Sequence, residues 1–153
     1  MPFGRRGVSY ERELANWLWS LGFAVIRAPA SGGGVRRRFA PDLVAMFKGR
    51  VIILEVKYRA KPSSISIGCD KVNRLIEFAN RAGGEAYVAI KYAREPWRII
   101  PVKSCNGGSS MVLSVADVEG ASKLEDIIRG MINIDITSLI TGNGSDEWNA
   151  ASR

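Results

Sequence analysis

PDLVAMFKGRVIILEVK, residues 41–57, decides how this chain folds. Asp42–Phe47 is apolar after its first residue, Lys48-Gly49 can turn the chain, and Val51–Val56 is β-branched and aliphatic. Such a pattern reads as two strands joined by a tight hairpin. Side chains alternate faces along a strand, so Glu55 and Lys57 project to the same side. A two-residue loop would pair Phe47 with Arg50, and counting outward then sets Asp42 opposite Glu55. Directly opposed side chains have Cβ atoms roughly 4.5–5.5 Å apart, where like charges repel unless a cation lies between them. The ribbon therefore reads as half a metal site for Mg²⁺ or Mn²⁺, hard ions that bind through carboxylates, water and substrate phosphate. The reading hinges on the turn, because Lys48 is disfavoured at positive φ. A three-residue loop would turn the two carboxylates to opposite faces unless a bulge restored them.

The 153 residues, 46% of them hydrophobic, suffice for one domain with its own core. Histidine is absent, which removes Ser-His and Cys-His nucleophile pairs, the usual zinc enzymes and imidazole bases. Catalysis must then rest on carboxylates, lysine and metal. Cys69 and Cys105 lack metal-finger spacing, so neither a disulfide framework nor a zinc site is expected. No apolar run is long enough for a membrane span and MPFGRRGVSYERE lacks the apolar middle of a signal peptide, so a cytosolic (cytoplasmic) protein with no membrane association is expected. The net charge of +7 is unevenly spread: residues 1–61 carry 12 Lys+Arg against 4 acids, residues 104–153 carry 3 against 7. A basic half of this kind suits a polyanionic partner.

Gly4–Gly7 reads as part of a basic arm over residues 1–8, and Ser9 as the N-cap of a helix whose apolar positions Tyr10, Leu14, Trp17, Leu18 and Leu21 follow the 3.6-residue period up to Gly22. Glu11 and Glu13 flank that stripe, and periodicity does not choose between them. Phe23–Ala28 reads as a strand, followed by a glycine-rich loop ending in Arg36-Arg37-Arg38, which would place mobile positive charge next to the carboxylate ribbon. Asp70 is the expected N-cap of a helix with Val72, Leu75, Ile76 and Ala79 on one face, ended by Gly83-Gly84. Glu85–Tyr92 and Trp97–Val102 form a second hairpin, Met111–Val115 a short strand, and Ser122-Lys123-Leu124-Glu125 the capping box of a last helix. Residues 133–140 fit strand or helix equally, and the polar stretch from Thr141 onward is expected to be disordered. This order predicts one α/β domain over residues 1–132, a mixed sheet with helices on its faces, and a C-terminal extension over 133–153.

Five blocks in this order, a helical ERE, FAVIRAPAS, PDLVA, ILEVK and NRLIEFANRAGG, resemble the archaeal Holliday junction resolvases of the PD-(D/E)xK nuclease superfamily, from about Gly7 to at least Val102. The resemblance implies a restriction-endonuclease-like fold, with Glu11, Asp42 and Glu55 as metal ligands and Lys57 as catalytic lysine. It selects Glu11 over Glu13, assigns a functional serine to Ser31, and places Arg27 in a matching block. It further implies a homodimer that cuts two opposed strands of a four-way junction, using Mg²⁺ with Mn²⁺ able to substitute. The Gly-Gly-Gly-Val-Arg-Arg-Arg loop and the acidic tail after Gly142 depart from the family pattern.

Phosphodiester hydrolysis can be argued from the residues alone. Charge building on the phosphoryl oxygens must be neutralised and a water activated in line with the leaving oxygen, and metal ions do both. Lys57 would orient the water or stabilise the developing charge; its simpler role is an ion pair with Glu55 or Asp42. Junctions vary in sequence, so contacts should go to phosphates and to shape. The candidates are Arg5, Arg6, Arg27, Arg36, Arg37, Arg38, Arg59, Lys61, Lys71 and Arg74. The second hairpin, with Trp97 and Ile99, is a candidate subunit interface. A sliding clamp or helicase would find its place on residues 133–153, where no motif specifies it. Two other readings keep the same residues: a nuclease acting on other DNA (restriction-type or repair), and a non-catalytic DNA-binding module.

Overall fold

In the computed structural model of the chain, which describes residues 4–28, 39–106 and 108–140, the ribbon folds as the hairpin its spacing predicts. Strands β2 (Leu43–Phe47) and β3 (Arg50–Arg59) pair antiparallel with Phe47 opposite Arg50. Lys48 and Gly49 take φ values of 48° and 80°, as the mirror-image turn of a two-residue hairpin requires. The left-handed backbone costs a residue such as Lys48 on the order of 1 kcal/mol. Burial of Leu43, Ala45, Ile52, Ile53 and Leu54 outweighs that cost, because a one-residue slip would turn each of them to the opposite face and undo its packing.

Strand β1 (Ala24–Arg27) lines the outer edge of β2, and β5 (Glu85–Tyr92) runs parallel to the other side of β3. Parallel neighbours need a crossover. It is supplied by a short strand β4 (Ile65–Gly68) and helix α2 (Cys69–Ala82). Strands β6 (Arg98–Pro101) and β8 (Ser122–Lys123) complete a six-stranded sheet of order β1-β2-β3-β5-β6-β8, while β7 (Ser110–Leu113) pairs with β4 in a separate ribbon.

Helices α1 (Gly4–Ser20) and α4 (Leu124–Ile140) cover one face, where Leu14, Leu18, Leu124 and Ile128 pack with Ile52 and Leu54. Helix α2 covers the other, where Leu75 and Ala79 meet Ile53. Beside it, the β4–β7 ribbon and the short helix α3 (Val115–Glu119) enclose Val72, Val88 and Ile90. Strand β3 is thus buried from both sides, the physical reason for its unbroken aliphatic run. A mixed sheet flanked by helices is the expected fold class.

Several local expectations are corrected. Helix α1 begins at Gly4, so residues 4–7 are helical and Ser9 lies inside the helix instead of capping it. The residue before α2 is Gly68, with no side-chain cap, and Asp70 sits in the first turn, where its charge complements the helix dipole. Ser122 belongs to β8. The capping box lies at Ser114, whose hydroxyl accepts the Asp117 backbone N–H while Asp117 accepts the Ser114 backbone N–H, and it opens α3. Residues 133–140 are helical, continuing α4. In the second hairpin Ile99 is only 3% exposed and β8 pairs along the outer side of β6, while Trp97 is half-buried. The stretch from Thr141 lies outside the described residues.

Helix α2 ends as expected at Gly83, φ 66°. At Gly84 a Cβ would fall 2.4 Å from the Val51 carbonyl oxygen, so only glycine lets β5 enter beside β3. Against the expectation for the two cysteines, Cys69 and Cys105 are joined by a disulfide, their Cα atoms 5.4 Å apart. The bridge ties the start of α2 to the segment after β6, and Asn73 reinforces it by exchanging side-chain hydrogen bonds with the Cys105 backbone. Among the described residues no helix is long and apolar enough to cross a membrane.

Candidate active site

The site forms where β3 outlasts β2. The last β2–β3 pair is Leu43 opposite Leu54, and from Glu55 to Arg59 strand β3 is paired through β5 alone. Pro41, buried, has no N–H to offer the next rung. Asp42 closes the edge instead: its Oδ2 accepts the Val56 backbone N–H at 2.8 Å, and its carbonyl accepts the Ala28 N–H at 3.0 Å. The carboxylate is held one step beyond the last rung, next to Glu55, where the register count places it.

Odd-numbered residues of β3 face α2, so Ile53 enters the core and Glu55 and Lys57 follow on the same side. Glu55 is 1% exposed. Its Oε1 lies 3.1 Å from Lys57 Nζ and 2.5 Å from Lys71 Nζ, the latter reaching in from the first turn of α2. Its Oε2 is buried without a hydrogen-bond partner. Glu11 arrives from α1, whose preceding residue Tyr10 stacks on Tyr58 of β3 with ring centroids 3.8 Å apart and planes at 15°. Arg27, at the end of β1, lies 3.8 Å from Glu11.

The three carboxylates feel one another. Burial, and then the neighbouring Glu55 charge, push Asp42 from 3.8 up to about 6, against the Val56 N–H and Lys71, which favour the charged form. Burial also raises Glu11, opposed first by Arg27, and Glu55 raises it further. Clustered acids of this kind bind protons or metal more readily than a dispersed set.

The donor set fits a divalent ion: hard oxygen ligands from three elements, and a buried Glu55 Oε2 that lacks any partner. Among the described residues no three ligating side chains stand close enough to enclose an ion by themselves. As positioned, Glu55 is turned to lysine ammonium groups. The chemistry of the donors and the orphaned oxygen argue for the ion.

Glu11, Asp42, Glu55 and Lys57 are thus brought together, and Arg27 stands at their edge. Glu13 is exposed and away from the cluster, beside Trp17 and Glu125. Arg59 is half-buried and donates to the Tyr58 carbonyl, while Lys61 and Arg74 are exposed. The side chains of Arg5 and Arg6, and all of Ser31, Arg36, Arg37 and Arg38, lie outside the described residues. Lys71, expected on the DNA surface, is ion-paired inside the acid cluster. That position was legible in principle, because a helix linking parallel neighbours starts near the carboxyl end of the first strand. The Tyr10–Tyr58 stack left no signal in the sequence.

The family profile described as "Archaeal holliday junction resolvase (hjc)" matches residues 3–136. The chain belongs to the archaeal Holliday junction resolvase family. Among the relatives of this chain, the crossover junction endodeoxyribonuclease Hjc of Sulfurisphaera tokodaii is 37% identical over 127 residues, which is 81% of this chain and 86% of that protein. The enzyme of the same name from Archaeoglobus fulgidus is 41% identical over 98 residues, 64% of this chain and 70% of that protein. The solved structure of Archaeoglobus fulgidus Hjc, a Holliday junction resolvase, superposes with a TM-score of 0.67 at 29% identity, covering 80% of this chain and 95% of that one. The fold is therefore that of the resolvase family, a restriction-endonuclease-like mixed sheet flanked by helices.

Proposed function

We propose that this member of the family cuts four-way DNA junctions by metal-dependent phosphodiester hydrolysis, with Glu11, Asp42 and Glu55 as ligands of Mg²⁺, Mn²⁺ able to replace it, and Lys57 as the catalytic lysine. The observation that carries the reading is the buried Glu55, with one oxygen on Lys57 and the other unpartnered, beside an Asp42 anchored on Val56. When bound, the ion would neutralise charge on the phosphoryl oxygens and lower the pKa of attacking water. Asp42 is kept in place by a backbone N–H and so needs no side-chain rearrangement to act as a ligand. Burial shields the Glu55 charge from water and strengthens its pull on any cation. Lys57 Nζ, tethered to Glu55, orients the attacking water and stabilises the developing negative charge. Glu11 completes the site from α1, held over β3 by the tyrosine stack.

Junction recognition falls to phosphate contacts, for which exposed Lys61 and Arg74, with Arg59, are the described candidates. Arg5, Arg6, Arg36, Arg37 and Arg38 are proposed to add to them, and Ser31 to act beside the acids. A homodimer would present two such sites to the two opposed strands of a pseudo-two-fold junction. Residues 133–153 are the segment left for a sliding clamp or helicase.

Cleavage of a mobile-core junction and of a matched duplex, with Mg²⁺ and with EDTA, tests the proposal in the native chain and Asp42→Asn. Paired, metal-dependent nicking of the junction alone, lost in Asp42→Asn, is expected. Equal cutting of both substrates would remove the junction preference, and nicking that survives EDTA would remove the metal.

A further inference from the structure

Lys57 is one of two ammonium groups on the same Glu55 oxygen. Lys71 Nζ sits at 2.5 Å from Oε1 and Lys57 Nζ at 3.1 Å. We infer that Lys71 is a built-in counter-cation of the acid cluster, holding the Glu55 carboxylate in place before metal arrives and giving up its contact with Oε1 when metal binds. The inference rests on the reading of Glu11, Asp42 and Glu55 as a metal site.

Three observations support it. A carboxylate as buried as Glu55 is strongly unfavourable unless paired, and two more acids stand nearby, so the metal-free cluster needs positive charge. Lys71 supplies it at the most buried of the three, its Nζ 2.5 Å from Glu55 Oε1. The two lysines differ in freedom: the Lys71 side chain is 41% exposed against 25% for Lys57. Lys57 projects from the middle of the sheet. Lys71 projects from a helix end that opens to solvent, on a flexible four-carbon stem.

The base of that stem is firmly placed. Two residues earlier Cys69 is bridged to Cys105, the Cys69 N–H donates to the Ser109 carbonyl at 3.1 Å, and two residues later Asn73 brackets Cys105. Only the ammonium has to move, and a fixed Cα returns it to Glu55 when metal leaves. A divalent ion entering among the acids meets a like charge on Oε1, so Lys71 competes with it, and metal affinity is set by the difference.

Mn²⁺ binding to the full chain without DNA, read from the loss of the free-ion electron paramagnetic resonance signal, separates the possibilities. Lys71→Met should bind Mn²⁺ with a Kd about tenfold lower than the native chain, because one competing charge is gone. Lys71→Arg should bind no more tightly than the native chain. Thermal unfolding gives a second readout: without metal Lys71→Met should melt below the native chain, and Mn²⁺ should raise its Tm by more. Lys71→Gln replaces Lys71→Met if that variant does not fold. An Mn²⁺ affinity in the uncharged variant that is unchanged or weaker overturns the inference. Asp42→Asn tells the two failures apart: if it loses Mn²⁺ while Lys71→Met behaves as native, the metal site stands and the role of Lys71 falls. If Asp42→Asn binds as the native chain does, or the native chain binds none, the metal site falls and the counter-cation role with it.

Discussion

Asp42 takes up the Val56 backbone N–H at 2.8 Å, so a side chain does the work of the strand partner that β2 no longer provides. The same atom that closes the sheet edge belongs to the acid proposed to hold metal. Structure and chemistry are coupled at this residue, and its protonation should be visible in both.

Asp42 is raised from 3.8 to about 6 chiefly by burial and by Glu55, so the folded state holds the proton more tightly than the unfolded chain does. Stability contributed by this group is present below the unfolded value and is lost as pH rises from about 4 to about 6. Asp42→Asn removes that loss while keeping an acceptor for Val56. Its stability relative to the native chain should therefore grow across this window, by at most about 3 kcal/mol, as denaturant unfolding at a series of pH values would show. A pH-independent difference would contradict it. At limiting metal, native cleavage should rise through pH of about 6 as the proton leaves Asp42, the proposed ligand.

Glu55→Gln should abolish cleavage and leave junction affinity within about threefold, because the proposed phosphate contacts lie on other side chains. Single-turnover cleavage and gel-shift titration on one preparation provide the check. Parallel loss of both would argue that Glu55 supports the fold of the site more than its chemistry.

Tyr10→Ala should lower stability by about 1–3 kcal/mol through loss of the stack and its buried area. Because Tyr10 positions its neighbour Glu11 over β3, cleavage should fall by about tenfold or more even well below the melting temperature. Tyr10→Phe keeps the stacking ring and should restore most of the rate. Failure of the phenylalanine to rescue would shift the role to the hydroxyl.

Closing a loop of 36 residues, the Cys69–Cys105 bridge should contribute about 3–4 kcal/mol by restricting the unfolded chain. A reductant should then lower the native Tm by roughly 10 °C and leave a Cys69→Ser, Cys105→Ser double variant unaffected. An equal response of the two proteins would show that the bridge carries no stability.

Much of the site was legible in the sequence because strand geometry is local. Once Lys48-Gly49 is a two-residue turn, every pairing from Phe47–Arg50 to Leu43–Leu54 follows by counting, and the alternation of side chains puts Glu55 and Lys57 on one face. The unbroken aliphatic run of β3 likewise announces a strand covered on both faces, and the 3.6-residue stripe of α1 its buried side. Glu11 needed the resemblance, since periodicity alone left it level with Glu13. What only the tertiary structure decided are contacts between elements distant along the chain: Lys71 on Glu55, Tyr10 on Tyr58, Cys69 on Cys105, and Ile99 in the core with Leu124. The short elements β4, α3 and β8 belong with them, being too brief to carry a period of their own. Register and face are set by neighbouring peptide units. Which helix end comes to rest against which strand is set by the packing of the whole core, and no local pattern encodes it.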